Sequence, residues 1–259
     1  MTHLSDSTAG RRIDVNCDIG ETSLPWHASP EPELLGLISS ANVACGGHAG
    51  DVESMRAVCV AAVSGGVAIG AQVSYPDRQN FGRLAMEIAT DELSASLSEQ
   101  FVALVDTATT SGSRVAYVKP HGALYNTVVT RVDHAEVVVQ LAARHGLPLF
   151  GLPNSVTESL ALQHGVRFVR EWFADRGYLS NGHLVPRSRP DALVTSPDQV
   201  FNRVLKAVQH GVVDTVDGAT LPVDFATICV HSDTPGAATL LQSVRAALKR
   251  ADIHIGAAW

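Results

Sequence analysis

The stretch AYVKPHGALYN, from Ala116 to Asn126, places Lys119, His121 and Tyr125 directly after a short apolar run. An imidazole transfers protons near neutral pH, and a lysine ammonium binds anionic oxygen atoms. The chain has only three lysines, so one that ends a strand beside a histidine is notable. These side chains either project into a functional site or belong to an ordinary solvated strand end.

Polar side chains gather in the same way after five other predicted strands. They are Asn16, Asp18, Glu21, His48, Asp51, Gln72, Tyr75, Asp77, Arg83, Glu171, Asp175, Arg176, Tyr178, His231, Asp233 and Thr234. Carboxylates and imidazoles are suited to general acid and base catalysis. Four basic residues could hold a carboxylate or a phosphate: Lys119, Arg83, Arg176 and Arg187. The residue types therefore indicate a hydrolase or ligase that acts on a small anionic molecule.

Each cluster alone also has a structural explanation. Asp51 and Asp233 precede helical patterns and could serve as N-caps, and Asp175 and Arg176 could form a surface ion pair. Three histidines could be ordinary interior residues: His48, His121 and His231. Six polar clusters at the same end of successive strands favour a shared site over six unrelated structural roles.

The sequence lacks several well-defined motifs. It has neither an H-E-x-x-H motif nor a G-x-S-x-G elbow, and a metal site built from Asp18, His48 and His121 is left open. It has no G-x-x-x-x-G-K-[ST] loop, so ATP, if used, is not held by a P-loop in this chain. It has no C-x-x-C pair either, and the cysteines are expected to be buried thiols: Cys17, Cys45, Cys59 and Cys229.

Seven short apolar runs alternate with helical patterns along the chain. The predicted strands are Ile13–Cys17, Ser40–Ala44, Val67–Ala71, Ala116–Val118, Leu147–Leu152, Val166–Arg170 and Thr227–Val230. The predicted helices are Val52–Ser64, Thr90–Thr110, Asp133–His145, Ser155–His164, Pro197–His210 and Pro235–Ala251. Strands without strict alternation, separated by helices, predict a parallel sheet that is covered on both faces.

Seven such units predict an α/β fold in which the sheet closes into a TIM-like β/α barrel. An open doubly wound sheet is the alternative, although no glycine-rich phosphate fingerprint follows the first strand. In such barrels the chemistry lies at the C-terminal ends of the strands. We expect Ala174–Thr195 to be a functional loop or lid, and Asp217–Val223 to be a small turn or hairpin.

Composition and charge disfavour several classes of partner. The 259 residues include 19 basic and 26 acidic ones, for a net charge of -7, which disfavours nucleic acid and anionic membranes. The polar N-terminus lacks the apolar core of a signal peptide. We therefore expect a flexible tail over residues 1–11, one domain over residues 12–259, and a cytoplasmic location.

Six segments together resemble the ordered signature blocks of the LamB/YcsF family. They are IDVNCDIGE, SANVACGGHAGD, VAIGAQVSYPDRQNFGR, YVKPHGALYN, FADRGY with LVPRS, and ICVHSDTPGA. The resemblance covers about Ile13 to Ile253. It implies a distorted seven-stranded β/α barrel of the glycoside hydrolase/deacetylase type. It also implies the first of three components of a bacterial 5-oxoprolinase, which cleaves 5-oxo-L-proline to L-glutamate with ATP and needs the B and C subunits as well.

This reaction suggests roles for the clustered residues. Opening a lactam needs a base for water, an acid for the departing nitrogen and donors for the developing charge. We expect Asp18 or His48 to be the base, and His121 or His231 to be the acid. Lys119, with an arginine, would bind a carboxylate or phosphoryl group, and Asp233 would orient His231. Ten residues are expected to contact substrate: Asn16, Glu21, Gln72, Tyr75, Arg83, Tyr125, Asp175, Arg176, Arg187 and Asp233.

The sequence departs from the family pattern at several positions. Gln72 stands where many members have histidine, Gly47 stands in place of an aromatic residue, and Ser232 stands in place of glycine. We expect the loss of the aromatic side chain to enlarge the pocket. Two other functions stay open: a stand-alone, metal-dependent amide or carbohydrate hydrolase or deacetylase, and a non-catalytic scaffold subunit. Mg-ATP, if used, could be bound by the partner subunits or shared with them.

Overall fold

Seven parallel strands form a closed barrel in the computed structural model, which describes residues 10–257 and 259. They are β1 (Arg12–Ile19), β2 (Ser40–Ala44), β3 (Ala68–Val73), β4 (Val115–Pro120), β5 (Leu149–Gly151), β6 (Phe168–Phe173) and β9 (Thr227–Cys229). Neighbouring strands pair in parallel in this order, and β9 also pairs with β1. The predicted β/α barrel is confirmed, and the alternative of an open sheet is wrong.

Three short strands lie outside the barrel. The strands β7 (Val212–Asp214) and β8 (Thr220–Pro222) form an antiparallel hairpin, close to the hairpin predicted from the sequence. The strand β10 (His254–Ile255) pairs with the start of β1. The loop Ala174–Thr195 contains no helix and only two isolated bridges. Most of the predicted tail, residues 1–9, lies outside the described residues.

The helices cover the outside of the barrel. They are α1 (Glu31–Leu35), α2 (Val52–Gly65), α3 (Thr90–Thr110), α4 (Gly122–Thr127), α5 (Val132–His145), α6 (Val156–Gln163), α7 (Pro197–His210) and α8 (Ala237–Arg250). The side chain of Asp51 accepts a hydrogen bond from Ser54 N, so Asp51 is the N-cap of α2. Among the described residues, none of these helices combines the length and the apolar character that crossing a bilayer requires.

Strand β1 alternates between the two faces of the barrel wall. Ile13 and Val15 belong to the hydrophobic core that the strands share with the outer helices. Asp14, Asn16 and Asp18 alternate with them and are buried, because side chains two residues apart lie on the same face of a strand. The barrel interior is therefore polar along this strand, and hydrogen bonds must satisfy its buried groups.

Aromatic side chains fill the barrel beneath this polar region. Tyr117 of β4 stacks on Phe150 of β5, with 4.0 Å between ring centroids, and Trp259 meets both rings edge-on. Gly70 of β3 faces them, and a Cβ atom there would lie 2.1 Å from the Tyr117 ring. The glycine is therefore required for Tyr117 to lie across the barrel.

Candidate active site

The polar strand ends open into a cavity of about 430 Å³. Eight of the expected site residues line it: Asp18, Arg83, Lys119, His121, Tyr125, Arg176, Arg187 and His231. Leu184 and Val185 of the loop Ala174–Thr195 form part of the wall. The barrel therefore brings the polar strand ends together at one end, and the long loop encloses one side of the cavity.

Lys119 is buried inside the barrel, at the inner end of the cavity. Its Nζ donates hydrogen bonds to Glu171 Oε1 at 2.7 Å and Asn16 Oδ1 at 2.9 Å. Cys229 Sγ lies 3.3 Å away, and Asp18 Oδ1 lies 3.8 Å away. Burial alone would lower the pKa of Lys119, but these acidic neighbours raise it well above its ordinary value. The side chain is therefore a fixed positive charge.

Two asparagines connect Lys119 to Asp18. Asn42 Nδ2 donates to both Asn16 Oδ1 and Asp18 Oδ1, each at 2.8 Å. The hydroxyl of Tyr117 donates to Asn42 Oδ1 at 2.7 Å and fixes the orientation of this amide. The Asp18 carboxylate is therefore held in place by buried hydrogen bonds while it faces the cavity.

Glu21, His48, Gln72 and His121 converge beside Asp18, and we call these four residues the Glu21 cluster. Glu21 Oε1 lies 3.0 Å from His48 Nε2, 2.9 Å from Gln72 Nε2 and 3.4 Å from His121 Nδ1. The two imidazoles stack with 3.7 Å between centroids and 7° between planes. Three members form a set that could hold a metal ion: Glu21, His48 and His121. The metal site left open from the sequence contained Asp18, whereas the set that the structure brings together contains Glu21.

The backbone fixes the tautomer of His121. Its Nε2 lies 3.2 Å from the carbonyl oxygen of Phe81, which can only accept, so Nε2 carries the proton and Nδ1 offers a lone pair. Phe81 adopts a left-handed backbone with φ of 56°, which is uncommon for a residue with a side chain. Burial lowers the pKa of His121 to about 3, so its imidazole is neutral at physiological pH.

His231 and Asp175 form a second pair on another side of the cavity. His231 Nδ1 lies 3.0 Å from Asp175 Oδ2, which also accepts hydrogen bonds from His231 N and the Thr234 hydroxyl. Burial alone would raise the pKa of Asp175, but His231 and the hydrogen bonds lower it. The expectation that Asp233 orients His231 is wrong, because Asp175 does so.

Asp233 instead joins two arginines at the cavity mouth. Its carboxylate accepts hydrogen bonds from Arg83 Nη2 and, at 3.0 Å, from Arg187 Nη1. Burial alone would raise the pKa of Asp233, but Arg187 and Arg83 outweigh it and lower the pKa to about 2. Asp233 does not cap the final helix, whose N-cap position is Gly236. The mouth therefore carries two guanidinium groups for one carboxylate.

Other expected contacts have structural roles. Tyr75 is fully buried, and its hydroxyl lies 2.6 Å from His134 Nδ1, away from the residues that line the cavity. Arg176 lines the cavity, but its guanidinium donates to the carbonyls of Val185 and Ala192 and so anchors the long loop. The direct substrate contact expected of Tyr75 is therefore wrong.

The structure shows where two of the residues that depart from the family pattern lie, Gly47 and Ser232. A Cβ atom on Gly47 would lie 2.4 Å from Ser74 Oγ and 2.5 Å from Gln100 Oε1, and Gly47 does not line the cavity. The expectation that this glycine enlarges the pocket is therefore wrong. Ser232 donates from Oγ to Glu21 Oε2 at 3.1 Å, so it supports the Glu21 cluster.

Glu171 and Asn42 hold site residues in place, although the sequence predicted no catalytic or substrate-binding role for either. Glu171 holds Lys119, and Asn42 holds Asp18. In the sequence, the sign of such a role is a polar residue within an otherwise apolar buried strand. When the neighbouring apolar side chains face the helices, the polar side chain faces the interior of the barrel. All four cysteines are buried free thiols, as expected.

Comparison with known proteins agrees with this architecture. The LamB/YcsF family model matches residues 13–258. The 5-oxoprolinase A subunits of Streptomyces avermitilis and Streptomyces coelicolor are 45% and 47% identical, over 95% of this chain and 99% of each relative. The crystal structure of the lactam utilization protein from Thermus thermophilus is 35% identical, with a TM-score of 0.88 over 95% of this chain and 99% of that one. The chain therefore belongs to the LamB/YcsF family.

Proposed function

We propose that this chain is the A component of an ATP-dependent 5-oxoprolinase, which opens 5-oxo-L-proline to L-glutamate. The observation that carries the proposal is the match, over 95% of the chain, to relatives that are named as 5-oxoprolinase A subunits. The names of those relatives give their substrate, and the cavity of this chain supplies groups suited to the same reaction.

The size and charge of the cavity suit a small anionic lactam. A cavity of about 430 Å³ is at the small end of the range for ligand pockets. Its wall combines the buried ammonium of Lys119 with the guanidinium groups of Arg83 and Arg187 at the mouth. Guanidinium groups bind carboxylate and phosphate oxygens through paired hydrogen bonds. The substrate carboxylate and a phosphoryl group are therefore the anions that we assign to these residues.

ATP enters the proposal because a lactam is a weak electrophile. Phosphorylation of the amide oxygen activates the ring carbon. Water then adds to this carbon, and the ring C–N bond breaks as the nitrogen takes a proton. A second water hydrolyses the resulting acyl phosphate to glutamate and phosphate. Because this sequence has no P-loop, we assign Mg-ATP to the B and C subunits or to a site shared with them, and we place the complex in the cytoplasm.

Three side chains take separate roles in this proposal. Asp18, which Asn42 holds at the cavity wall, is the base that takes a proton from water. His231 donates a proton to the departing nitrogen, because Asp175 binds its Nδ1 and leaves Nε2 for the substrate. Lys119 stabilises the negative charge that develops on oxygen. Of the other two expected catalytic residues, His121 lines the cavity and His48 stacks behind it.

A stand-alone metal-dependent hydrolase is the second candidate, and the Glu21 cluster favours it. Three members of the Glu21 cluster, namely Glu21, His48 and His121, place possible ligand atoms within 4.8 Å of one another. Carboxylate and imidazole side chains bind transition metals. This candidate predicts amide or ester hydrolysis without ATP and without partner subunits. A scaffold subunit, by contrast, would tolerate replacement of Asp18 or Lys119 without loss of activity in the complex.

Reconstitution separates these possibilities. Glutamate formation from 5-oxoproline is measured with the purified chain alone, with ATP, and with ATP plus the B and C subunits. The proposal predicts glutamate only in the last mixture. Hydrolysis of a panel of amides and acetylated sugars by the chain alone would support the second candidate. Full activity of the complex with Asp18→Asn would support the scaffold.

A further inference from the structure

The ion pairs at the cavity mouth join three separate segments of the chain through Asp233. Its carboxylate accepts hydrogen bonds from Arg83 in the loop after β3 and from Arg187 in the long loop after β6. A second nitrogen of Arg187, Nη2, lies 3.4 Å from Asp233 Oδ1. We call these three side chains the Asp233 bridge. One carboxylate of the loop after β9 therefore holds two guanidinium groups that come from different parts of the chain.

The Asp233 bridge carries more positive than negative charge. Arg131 and Arg170, by contrast, each bind two carboxylates, so those surface groups carry an excess of negative charge. The whole chain has a net charge of -7, so acidic side chains are not scarce. A cleft whose wall carries charge of one sign attracts ions of the other sign. Two arginines that share one acid at the mouth of a cavity therefore indicate that a further anion binds there.

Arg176 adds a third positive charge beside the Asp233 bridge. Its guanidinium donates to the carbonyl oxygens of Val185 and Ala192, and a guanidinium stays protonated in proteins. Burial lowers the pKa of Arg176, and the nearby Arg187 lowers it further, because like charges repel each other. Three guanidinium groups against one carboxylate leave two positive charges in excess, which an anion with two negative charges would neutralise.

We propose that a phosphate dianion binds between the guanidinium groups of Arg83 and Arg187, and that the Asp233 carboxylate occupies this place until phosphate displaces it. This site deepens the proposed function and rests on it, because that reaction releases phosphate in the same cavity. Guanidinium groups bind phosphate and carboxylate oxygens through the same paired hydrogen bonds. A phosphate offers more acceptor oxygens and more negative charge than a carboxylate, so it suits two arginines better.

The exposure of the Asp233 bridge allows such an exchange. The side chains of Arg83, Asp233 and Arg187 are 36%, 33% and 31% exposed, so an anion from solvent reaches all three. Water takes over part of the hydrogen bonding of a partly solvated carboxylate when it leaves its partners. While the mouth holds no phosphate, Asp233 reduces the repulsion between the two guanidinium groups and ties the loop of Arg187 to the cavity. The proposal therefore gives the acidic residue a role among groups that bind an anion.

Binding of inorganic phosphate to the full-length chain tests this site without lactam, ATP or partner subunits. Isothermal titration calorimetry in chloride buffer gives the Kd and the stoichiometry. The wild-type chain should bind one phosphate. Arg83→Gln and Arg187→Gln should each weaken binding about tenfold or more, because each removes charge-assisted hydrogen bonds. Asp233→Asn should bind phosphate about tenfold more tightly, because the competing negative charge is gone.

Matched controls come from a surface ion pair away from the cavity. Arg131→Gln and Asp133→Asn break that pair and should leave the Kd for phosphate unchanged, and circular dichroism melts confirm that each variant is folded. Absence of phosphate binding from both the wild type and Asp233→Asn would overturn the site. Wild-type affinity in the Arg83 and Arg187 variants would also overturn it, and wild-type affinity in Asp233→Asn would overturn the displacement.

Glutamate formation by the reconstituted complex separates this site from the proposed function. A complex that forms glutamate although its A chain binds no phosphate would overturn the phosphate site alone. A chain that binds phosphate at the Asp233 bridge, in a complex that forms no glutamate, would overturn the proposed function alone.

Discussion

Lys119 Nζ lies 2.7 Å from Glu171 Oε1, and both side chains are buried inside the barrel. The pair joins β4 to β6 across the interior, and Asn16 of β1 donates to the same carboxylate oxygen at 2.8 Å. A buried ion pair of this kind is weak evidence for stability, because desolvation opposes the attraction. Its position at the inner end of the cavity instead favours a functional reason for the charge.

The Lys119–Glu171 pair should show strong energetic coupling. Lys119→Met leaves a buried carboxylate without its cation and should cost about 3–5 kcal/mol in the free energy of unfolding. Glu171→Gln should cost a similar amount. The double variant should lose clearly less than the sum, because neither Glu171 nor Lys119 is then left as a buried charge without the other.

Urea denaturation of the four proteins measures this coupling. Lys206→Met, at a surface ion pair with Asp214, is the control and should change the unfolding free energy by less than about 1 kcal/mol. A double variant whose loss in unfolding free energy equals the sum of the two single losses would contradict the coupling.

Asp175 should act on turnover through His231. Asp175→Asn removes the carboxylate that fixes the imidazole, and in comparable pairs this lowers kcat by about 10²–10⁴. We expect KM to change little, because Asp175 does not line the cavity. Steady-state glutamate formation by the complex measures both constants. Wild-type kcat in a folded Asp175→Asn variant would argue against the pair as a catalytic unit.

The Asp233 bridge should stabilise the protein in a pH-dependent way. Its pKa is about 2 in the folded protein and about 3.9 in an unfolded chain. A lowered folded pKa contributes stability above pH 4 that disappears as the pH falls toward 2. The difference in Tm between wild type and Asp233→Asn should therefore be largest near neutral pH and shrink from pH 4 downward.

Thermal melts at several pH values test this dependence. Asp252→Asn, in the exposed turn after α8, is the control for the loss of a surface carboxylate. A Tm difference for Asp233→Asn that stays constant between pH 6 and pH 2.5 would mean that the bridge does not contribute.

Gly70 should tolerate no side chain while Tyr117 occupies the barrel. A Cβ atom would lie 2.1 Å from the ring, so Gly70→Ala should destabilise the protein by about 1–3 kcal/mol. Tyr117→Leu in the same chain should recover part of the packing loss. Gly65→Ala, where the nearest atom lies 3.5 Å away, is the control. Equal stability of the two alanine variants, measured in urea, would contradict the steric argument.

The sequence predicted the barrel because short apolar runs, typical of buried strands, alternate along the chain with segments of helical periodicity. It also placed Lys119, His121 and Asp18 at one site, because parallel strands of a barrel end on the same side. The partner of His231 could not be found in this way. Asp233 is near in sequence, whereas Asp175 follows β6, and only the pairing of β6 with β9 brings Asp175 to the histidine.

Tyr75 and Glu171 also show that the sequence does not reveal which polar side chains reach the site. Tyr75 was expected there and is absent, whereas Glu171 had no expected role and is present. Tyr75 follows a strand end as a site residue would, but its side chain turns outward to His134. Glu171 lies within β6, and its inward direction depends on the register of that strand in the closed sheet. Residue type and position along the chain do not fix these directions, which come from tertiary packing.

Replacement of Lys119 in the reconstituted complex decides whether this chain supplies a charge that the reaction needs. Glutamate and phosphate are measured in one mixture of 5-oxoproline, ATP, the B and C subunits, and either the wild-type chain or Lys119→Met/Glu171→Gln. We predict one glutamate for each phosphate with the wild type, and a loss of glutamate formation of at least about 10²-fold with the folded double variant. Glutamate formation at the wild-type rate by that variant would show that the reaction does not need the Lys119 ammonium.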